Sequence, residues 1–528
     1  MVQFIMTIDI TALPEDVITL KEIIKGVIIE KDRTINFLES NVKKLEEQLR
    51  LLNAKLFGIK SEKLTQEQSN QLDLFNEAEE IESAPEVITI PEHKRIKGGR
   101  RHLPADLPRI EKIYDISEEE KICACGSRLS RIGSDVSEKL DIVPAKIQVI
   151  CNIRHKYACK NCEGLESEGG AVKIAALPPQ IIPQGIATAG LIAYILTAKF
   201  VDSLPFYRQE KIFERMGVEL SRATMANWAI HVATRCKPLI ELLDEEIRSG
   251  PLINIDETTI QVMNEPKKDN HSKSYMWVFR GGNIKSPSLI YQYHSTRSGD
   301  ILKEYLPKYS GYVQSDGYSG YNVLEINGRI ILVGCFAHCR RKFIEVINAR
   351  PKGKKGGSAE IGLNYISKLY AIERKADKLS LDYNERYKLR QDEAKPVLDE
   401  FRAWLEKRSI ETPPTGLLGK AISYALNQWD RLIRYIDDGR LRPDNNLAEN
   451  AIRPFVVGRK NWLFSGHPRG ANASAALYSL IETAKANNIE PYRYLRYIFE
   501  QIPYAQTEYD YKKLLPQYLD REALIGIT

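Results

Sequence analysis

The sequence contains no uninterrupted run of about eighteen apolar residues, the length that a transmembrane helix requires. Its first residues, Met-Val-Gln-Phe-Ile-Met-Thr-Ile-Asp, lack the basic segment and the small-residue cleavage site of a secretion signal. Eight cysteines in 528 residues do not suggest a disulfide framework in a chain of this kind. These absences predict a cytoplasmic protein with no membrane partner.

The excess of positive charge is small, at +6 with a pI near 8.6. Net charge alone therefore does not identify a nucleic-acid-binding protein, and the positions of the basic residues matter more. The length predicts several domains with ample material for a large core.

The N-terminal segment, residues 1–63, carries a hydrophobic seam that alternates by three and four positions. Its members are Ile35, Leu38, Val42, Leu45, Leu49, Leu52 and Leu56. This spacing predicts the a and d positions of a coiled coil, through which the protein would self-associate. The alternative is an amphipathic helix that packs on its own domain.

A linker with a basic arm is predicted over residues 64–115. Its first part is polar and acidic, which is typical of a flexible segment. The charge then reverses between His93 and His102, where Arg100 and Arg101 follow a Gly-Gly pair. Such a run is often a solvated tail, but beside a zinc module it favours contact with phosphates.

Two pairs of cysteines predict a small zinc-binding module over residues 116–175. The four candidate ligands are Cys123, Cys125, Cys159 and Cys162. The metal would be structural, since so small a module cannot hold itself together otherwise. Between the pairs, alternating apolar residues predict the strands of a ribbon; they are Leu140, Ile142, Val143, Ile147, Val149 and Ile153. Cys151 is interpreted as a core residue. The alternative is four ordinary reduced cysteines.

Residues 176–249 are predicted to be a helical DNA-binding segment. One helix covers 204–213, a turn contains Gly217, and a second helix begins at the N-cap Ser221. In a helix-turn-helix, Arg222, Thr224 and Asn227 would reach base edges from the second helix. A plain helical hairpin is the alternative.

The stretch 250–344 has the element order of three strands, helix, strand, helix, strand and helix. This order indicates an α/β ribonuclease-H-like core, in which the first and fourth strands are neighbours. Two strand-like runs end in Asp256 and Asp316, so the two carboxylates can meet. Residues 345–440 are rich in helix formers and predict an α-helical insertion, with a basic loop at Lys352, Lys354 and Lys355.

A third carboxylate follows the insertion, in the predicted final helix of the core (441–490). Asp444, Asn445 and Asn446 are helix-starting residues, and they place Glu449 in the opening turns. Leu447, Ala451 and Ile452 can face a core. Arg453 lies four residues after Glu449, so an ordinary surface ion pair is one interpretation. The basic run continues to Arg459 and Lys460, and residues 491–528 form a tail that begins with a packing helix.

Three separated carboxylates are what a two-metal phosphoryl-transfer site needs. In this combination the motifs resemble those of transposases of the insertion sequence 66 family. The matching motifs are Asp-Glu-Thr at 256–258, Asp-Gly-Tyr at 316–318, Cys-x-x-His-x-Arg-Arg-Lys-Phe at 335–343 and Asp-Asn-Asn-x-x-Glu before Ile-Arg-Pro at 444–454. Asn450 stands where the family has an arginine after the glutamate.

The resemblance implies a DNA transposase that cleaves transposon ends and joins them to target DNA. It implies two Mg²⁺ (or Mn²⁺) ions per active site on Asp256, Asp316 and Glu449, and structural Zn²⁺ in the cysteine module. Double-stranded DNA would be contacted by Arg100, Arg101, Arg222, Asn227, Arg453, Arg459 and Lys460. Homo-oligomers, companion proteins of the same element and association with the nucleoid would follow.

Alternatives to these roles remain open at the level of sequence. Asp444 is the second choice for the third acid, although a capping role is preferred. His338 belongs to a shared motif and could touch metal or phosphate, but a lone histidine is more often structural. For the protein as a whole, the alternative is a regulator that dimerises through its zipper and has lost catalysis.

Overall fold

The computed structural model describes residues 16–57, 147–158, 172–266, 269, 272–350 and 356–526. Of these, residues 16–57 and 177–526 belong to one unit, and residues 147–158 and 172–176 belong to another. The predicted basic arm with Arg100 and Arg101, the cysteines of the zinc module and the basic loop at 352–355 lie outside the described residues.

The N-terminal helix α1 spans Val17–Phe57, longer than the seam that predicts it. Two hydrogen bonds join it to other parts of the same unit: Arg50 Nε donates to the Ala349 carbonyl at 3.0 Å, and Glu47 accepts from the Leu417 backbone N–H at 3.3 Å. The seam residues from Ile35 to Leu52 are each more than half exposed. Within the described part of the chain the seam is therefore not packed on its own domain.

The smaller unit contains a short hairpin of β1 (Lys156–Ala158) and β2 (Val172–Ile174), which pair antiparallel. The predicted strand through Ile147, Val149 and Ile153 is wrong, because residues 147–155 have no strand partner among the described residues and these side chains are exposed. Cys151 is also exposed, so its interpretation as a core residue is wrong.

Four helices precede the sheet of the larger unit. They are α2 (Ala189–Phe200), α3 (Phe206–Arg215), α4 (Arg222–Arg235) and α5 (Lys237–Ser249). Ser221 caps α4 by accepting a hydrogen bond from the Thr224 backbone N–H at 3.1 Å, as predicted. Gly217, in the turn between α3 and α4, has a φ of +79°, which glycine adopts at little cost. The predicted helix, turn and helix are confirmed.

The central sheet has the strand order β5-β4-β3-β6-β7, with short β8 pairing against β3. The elements from the first strand onwards are β3 (Leu252–Val262), β4 (Lys273–Gly282), β5 (Pro287–His294), α6 (Asp300–Tyr305), β6 (Gly311–Gln314), a 3₁₀ helix (Ser319–Asn327), β7 (Ile330–Val333) and α7 (Phe336–Asn348). β3, β4 and β5 form an antiparallel meander, and β6 and β7 run parallel to β3. The predicted pairing of the first and fourth strands is confirmed.

The strand β3 does not end at Asp256, as the sequence predicted, but continues to Val262. It continues because its antiparallel pairing with β4 extends as far as Gln261 opposite Lys273. On its other side, the parallel pairing with β6 stops at Asn254 opposite Gln314. Asp256 therefore lies just beyond the last paired rung on the β6 side only.

The described residues of the predicted insertion are helical. The helices are α8 (Ser358–Lys378), α9 (Tyr383–Leu389), a π-helical turn (Arg390–Ala394), α10 (Lys395–Glu411), α11 (Leu417–Asn427), α12 (Trp429–Ile433) and a 3₁₀ turn (Arg434–Asp437). Fully buried Arg390 pairs with Glu373 and donates to the carbonyls of Tyr435, Asp438 and Leu441. These hydrogen bonds hold the segment between the last helical turn of the insertion and the next helix of the core.

The final part of the chain returns to the sheet. It contains α13 (Asn446–Trp462), β8 (Phe464–Ser465), α14 (Pro468–Ala486), α15 (Pro491–Gln501) and α16 (Glu508–Lys512), with 3₁₀ turns at Ile502–Tyr504 and Arg521–Leu524. α14 lies along the edge strand β5: Ser479 Oγ and Thr483 Oγ1 accept from the backbone N–H groups of Tyr291 and Leu289, at 2.8 and 3.0 Å. The helix thus covers strand groups that would otherwise be free for pairing.

None of the described helices combines the length and the apolar composition that crossing a membrane would require.

The exposed seam of α1 predicts self-association that does not depend on the rest of the chain. Replacing both Leu45 and Leu49 by Asp would place charges at the seam and convert the oligomer to monomer. Sedimentation equilibrium would measure the mass. Lys43→Asp, on the opposite side of α1, should leave the mass unchanged. An unchanged mass for the double variant would contradict the coiled coil.

Candidate active site

Three buried amide side chains, Asn254, Gln314 and Asn445, join the elements that carry the three predicted acids; we name them the amide clamp. Asn254 Nδ2 donates to Gln314 Oε1 at 3.1 Å and to Asn445 Oδ1 at 3.2 Å. Asn445 Nδ2 donates to the Ile255 carbonyl at 2.8 Å. The clamp ties β3 to β6 and to the start of α13.

The amide clamp also reaches the segments that flank the site. Gln314 Nε2 donates to the Arg442 carbonyl at 2.7 Å and to the Gly334 carbonyl at 3.2 Å. The backbone N–H of Asn445 donates to Cys335 Sγ at 3.2 Å. The end of β7, the start of α7 and the approach to α13 therefore meet at one buried point. Sequence reasoning treated Asn445 only as a helix-starting residue and missed this network.

Asp256 and Asp316 each lie two residues after a clamp amide on neighbouring parallel strands. Asn254 and Gln314 are register partners, so the chain brings the two aspartates to the same edge. Asp316 Oδ1 accepts from the Tyr318 backbone N–H at 2.9 Å, in a turn where Gly317 has a φ of +86°. This turn fixes Asp316 after the strand has ended.

A buried support lies beside the two aspartates, and the sequence did not reveal it. The Glu257 carboxylate accepts hydrogen bonds from Arg297 and from Tyr321. Arg297 Nη2 also lies 3.9 Å from Asp316 Oδ2, and its guanidinium stacks 3.7 Å from the centre of the Tyr318 ring. Arg297 therefore balances negative charge at the strand ends. The sequence feature that could have indicated this role is a single arginine that follows closely after β5.

Glu449 lies in the first turn of α13, the helix that begins directly after the clamp residue Asn445. Its Oε1 is 3.5 Å from His338 Nδ1, and its Oε2 is 3.6 Å from Arg341 Nη2. Burial, with help from Arg341, lowers the pKa of His338 to about 4, so this ring is neutral at pH 7 and its contact with Glu449 is not an ion pair. The Glu449 carboxylate therefore faces α7, and its charged partner on that helix is Arg341.

The three predicted acids form one electrostatic group. Burial raises the pKa of Asp256 well above its usual range, and the charges of Glu257, Glu449 and Asp316 raise it further. The pKa of Glu449 is also raised, first by burial, while Arg341 opposes the shift. A buried carboxylate whose pKa is raised by neighbouring carboxylates, as that of Asp256 is, is typical of sites that hold cations or transfer protons.

The donor atoms around Glu449 fit a divalent cation. His338 Nδ1 and Glu449 Oε1 are both buried, and neither has a hydrogen-bond partner. Unpaired buried acceptors are costly, and a metal ion satisfies them. The carboxylates of Asp256, Asp316 and Glu449 are the oxygen ligands that Mg²⁺ takes in proteins.

Asp444 and Leu447 differ from Glu449 in what they contact. Asp444 is buried and accepts from the Asn446 backbone N–H at 3.1 Å, but the N-cap of α13 is Asn445, so Asp444 lies one residue before the helix cap. Burial raises the pKa of Asp444, and hydrogen bonds from the Asn446 backbone and from Tyr370 oppose this rise. Leu447 is exposed, so its predicted core position is wrong, whereas Ala451 and Ile452 are buried. Leu447 points outward because the core face of α13 begins at Ala448. Asn450 is exposed beside Glu449.

The predicted DNA-contacting residues fall into two groups. Arg222 and Asn227 are exposed on α4, and Lys460 is exposed near the end of α13. Arg453 is half-buried on α13. Arg459 instead donates to the hydroxyls of Thr258 and Thr259 on β3, both at 3.1 Å, so in this structure its guanidinium braces the sheet.

Comparison with known families matches four parts of the chain. The family model described as Transposase IS66 family matches residues 184–473, more than half of the sequence. Three further models match smaller parts: Transposase C of IS166 homeodomain (44–111), zinc-finger binding domain of transposase IS66 (120–163) and IS66 C-terminal element (479–517). The zinc-finger match spans Cys123, Cys125, Cys159 and Cys162.

Curated relatives occur in Sinorhizobium fredii (strain NBRC 101917 / NGR234). The uncharacterized protein y4qI is 30% identical over 558 residues, which cover 98% of this chain and 100% of that protein. The uncharacterized protein y4jD is 34% identical over 421 residues, or 77% of this chain and 79% of that protein. The likeness to y4qI thus extends over nearly the whole chain.

Removal of the clamp residue Asn445 should destabilise the core. Asn445→Ala removes the bond to the Ile255 carbonyl and one of the two bonds donated by the Asn254 amide, at a cost of about 1–3 kcal/mol for buried polar groups that lose a partner. Urea unfolding followed by tryptophan fluorescence would measure the loss. Asn450→Ala, exposed on the same helix, should stay within about 0.5 kcal/mol. Equal free energies of unfolding for the two variants would show that the hydrogen bonds of Asn445 do not contribute to stability.

The mutual repulsion of the acids predicts that the metal-free protein gains stability from Asp256→Asn. The folded protein holds the Asp256 proton more tightly than the unfolded chain, so stability falls as pH rises from about 4 through the raised folded pKa. At pH 7 in EDTA the variant should melt roughly 2–4 °C higher. The gain should vanish near pH 4.

Differential scanning calorimetry of the two proteins at both pH values checks this expectation. Asp399→Asn, on the exposed face of α10, provides the control for loss of a charge outside the site. A variant that melts lower than wild type at pH 7 in EDTA would mean that the carboxylate of Asp256 is stabilising.

Proposed function

Because this chain belongs to the Transposase IS66 family, which is a family of DDE transposases, we propose that it cleaves DNA at transposon ends and joins them to target DNA. The family itself implies DNA transposition. The finer proposal concerns the reaction: direct phosphoryl transfer that depends on divalent metal ions, with no covalent protein–DNA intermediate.

The observation that supports this proposal is the amide clamp, which joins the three elements that carry Asp256, Asp316 and Glu449. Residues 60 and 133 positions apart in sequence contribute to one electrostatic group, since Glu449 and Asp316 both raise the pKa of Asp256. An ordinary surface ion pair does not require such a network. The strand order of the sheet supports assignment of the core to the ribonuclease-H-like folds.

We assign Asp256, Asp316 and Glu449 to hold two Mg²⁺ or Mn²⁺ ions. Such ions, when bound, activate an attacking oxygen and neutralise the charge on the leaving oxygen. The protein's own part is to fix the carboxylates: the clamp sets their spacing, and Arg297 limits the repulsion near Asp316. Arg341, half exposed beside Glu449, is positioned to contact the scissile phosphate.

The reaction proceeds in two displacements at phosphorus. Water attacks the phosphodiester at the transposon end, and the bond from phosphorus to the 3′ oxygen breaks, so a free 3′-hydroxyl is released. That hydroxyl then attacks a target phosphodiester and loses its proton to solvent, while the bond from the target phosphorus to its 3′ oxygen breaks and the released target 3′ oxygen takes up a proton. The same carboxylates serve both displacements, because each exchanges one phosphorus–oxygen bond for another.

DNA and a second copy of the chain are the proposed partners. Arg222 and Asn227 on α4, and Lys460 and Arg453 on α13, offer groups for phosphate or base contact. We also assign DNA contacts to Arg100 and Arg101, and structural Zn²⁺ to Cys123, Cys125, Cys159 and Cys162. The exposed seam of α1 would join two copies. Companion proteins of the same element would act beside them.

The test is cleavage of a labelled duplex that carries the end of the flanking element, by purified protein with Mg²⁺. Wild type should cleave and join strands, whereas Glu449→Gln should bind DNA and lose cleavage by roughly 100-fold or more, the scale of losing one transition-state partner. Glu400→Gln, exposed on α10, removes a similar charge away from the site and should cleave normally.

Other outcomes separate the alternatives. Cleavage that persists in Glu449→Gln but is lost in Asp444→Asn would move the third acid to Asp444. Binding without cleavage in all proteins, even after companion proteins of the element are added, would favour a DNA-binding regulator over an enzyme.

A further inference from the structure

Three potential metal ligands of different chemistry surround the third acid. A sulfur of Cys335, a ring nitrogen of His338 and a carboxylate oxygen of Glu449 all lie within 4.8 Å of one another. Carboxylates alone would suit Mg²⁺, but thiolate and imidazole groups suit transition metals such as Zn²⁺ and Co²⁺. This part of the site therefore suits a different class of metal ion from the part formed by Asp256 and Asp316.

Local structure keeps Cys335 and His338 close together. Cys335 is the N-cap of α7, and His338 lies in the first turn of that helix, three positions later. The Phe336 backbone N–H donates to the Pro443 carbonyl at 2.8 Å, which holds the start of α7 beside the approach to α13. Glu449 then completes the cluster from the opposite helix.

The cluster has the features of a metal ligand set. His338 Nδ1 and Glu449 Oε1 are buried and without hydrogen-bond partners, at a separation of 3.5 Å. That separation is close to the spacing of two ligands on one tetrahedral ion, where metal–ligand bonds are about 2.0–2.2 Å. Cys335 Sγ accepts the backbone N–H of Asn445, which is the kind of contact that steadies a thiolate ligand.

We propose that Cys335, His338 and Glu449 form a binding site for a divalent transition-metal ion of the Zn²⁺ or Co²⁺ type. The Cys335 thiol releases its proton to solvent as the sulfur–metal bond forms, and the neutral His338 ring binds through Nδ1. Glu449 belongs to both ligand sets, so an ion in this site competes for the third acid. The role of Glu449 in catalysis rests on the proposed function; the metal site itself does not.

Cobalt absorption provides a direct test on the full-length protein after its zinc has been restored. Added Co²⁺ should give visible d–d bands and a near-ultraviolet band from sulfur-to-cobalt charge transfer. Cys335→Ser should remove the near-ultraviolet component, and His338→Gln should weaken Co²⁺ binding by roughly 10–100-fold, as for comparable losses around a metal. The cysteines of the zinc module are the same in every sample.

Matched controls are available on the same and on a neighbouring element. Cys339→Ser changes another buried cysteine of α7 that is outside the cluster, and His294→Gln changes another partly buried histidine. Both should keep the wild-type cobalt spectrum. A cobalt spectrum that Cys335→Ser and His338→Gln leave unchanged overturns the proposal.

A second measurement needs no substitution. Pulsed electron paramagnetic resonance of Co²⁺ bound to the wild-type, zinc-restored protein should show modulation from a directly bound nitrogen, and the pattern should change when the histidines carry ¹⁵N. Absence of this modulation for the bound Co²⁺ overturns ligation by His338. If these spectra fail while Asp256→Asn still abolishes Mg²⁺-dependent cleavage, the proposed function stands and the transition-metal site falls.

Discussion

The arrangement of the site depends on a buried network of amides rather than on the acids themselves. Neighbouring carboxylates repel one another, as the raised pKa of Asp256 shows, so they do not assemble spontaneously. Asn254, Gln314 and Asn445 supply the opposing interaction, because each satisfies a backbone or side-chain partner on another element. Amides can do this without adding charge, and the hydrogen bonds that they form across elements favour one geometry.

The insertion is part of the same construction. Tyr424 on α11 donates to the Asp316 carbonyl at 2.9 Å, and Arg390 fixes the chain just before α13. The helices of the insertion therefore hold both Asp316, which precedes them in sequence, and the segment before α13, which follows them. The packing of α11 and α8 against α7 also orients His338 and Arg341 toward Glu449. The site is a joint product of the sheet and the insertion.

Much of this arrangement could be predicted from sequence, and the failures have physical causes. Strand runs, the Ser221 cap and the adjacency of β3 and β6 follow from local patterns and short-range rules. The end of β3 could not be predicted, since pairing with β4 carries it past Asp256. The exposure of Leu447, the bracing role of Arg459 and the support from Arg297 all depend on side chains that are distant in sequence, and a periodic pattern does not contain them.

The cover that α14 forms over β5 has a consequence for synthesis. Glu449 is made 133 residues after Asp316, and Ser479 and Thr483 are made later still. A chain that stops early therefore lacks the third acid and also leaves the edge of β5 open for pairing with other chains. Chains that stop before α14 are therefore expected to aggregate or to be degraded, because the edge strand β5 stays uncovered.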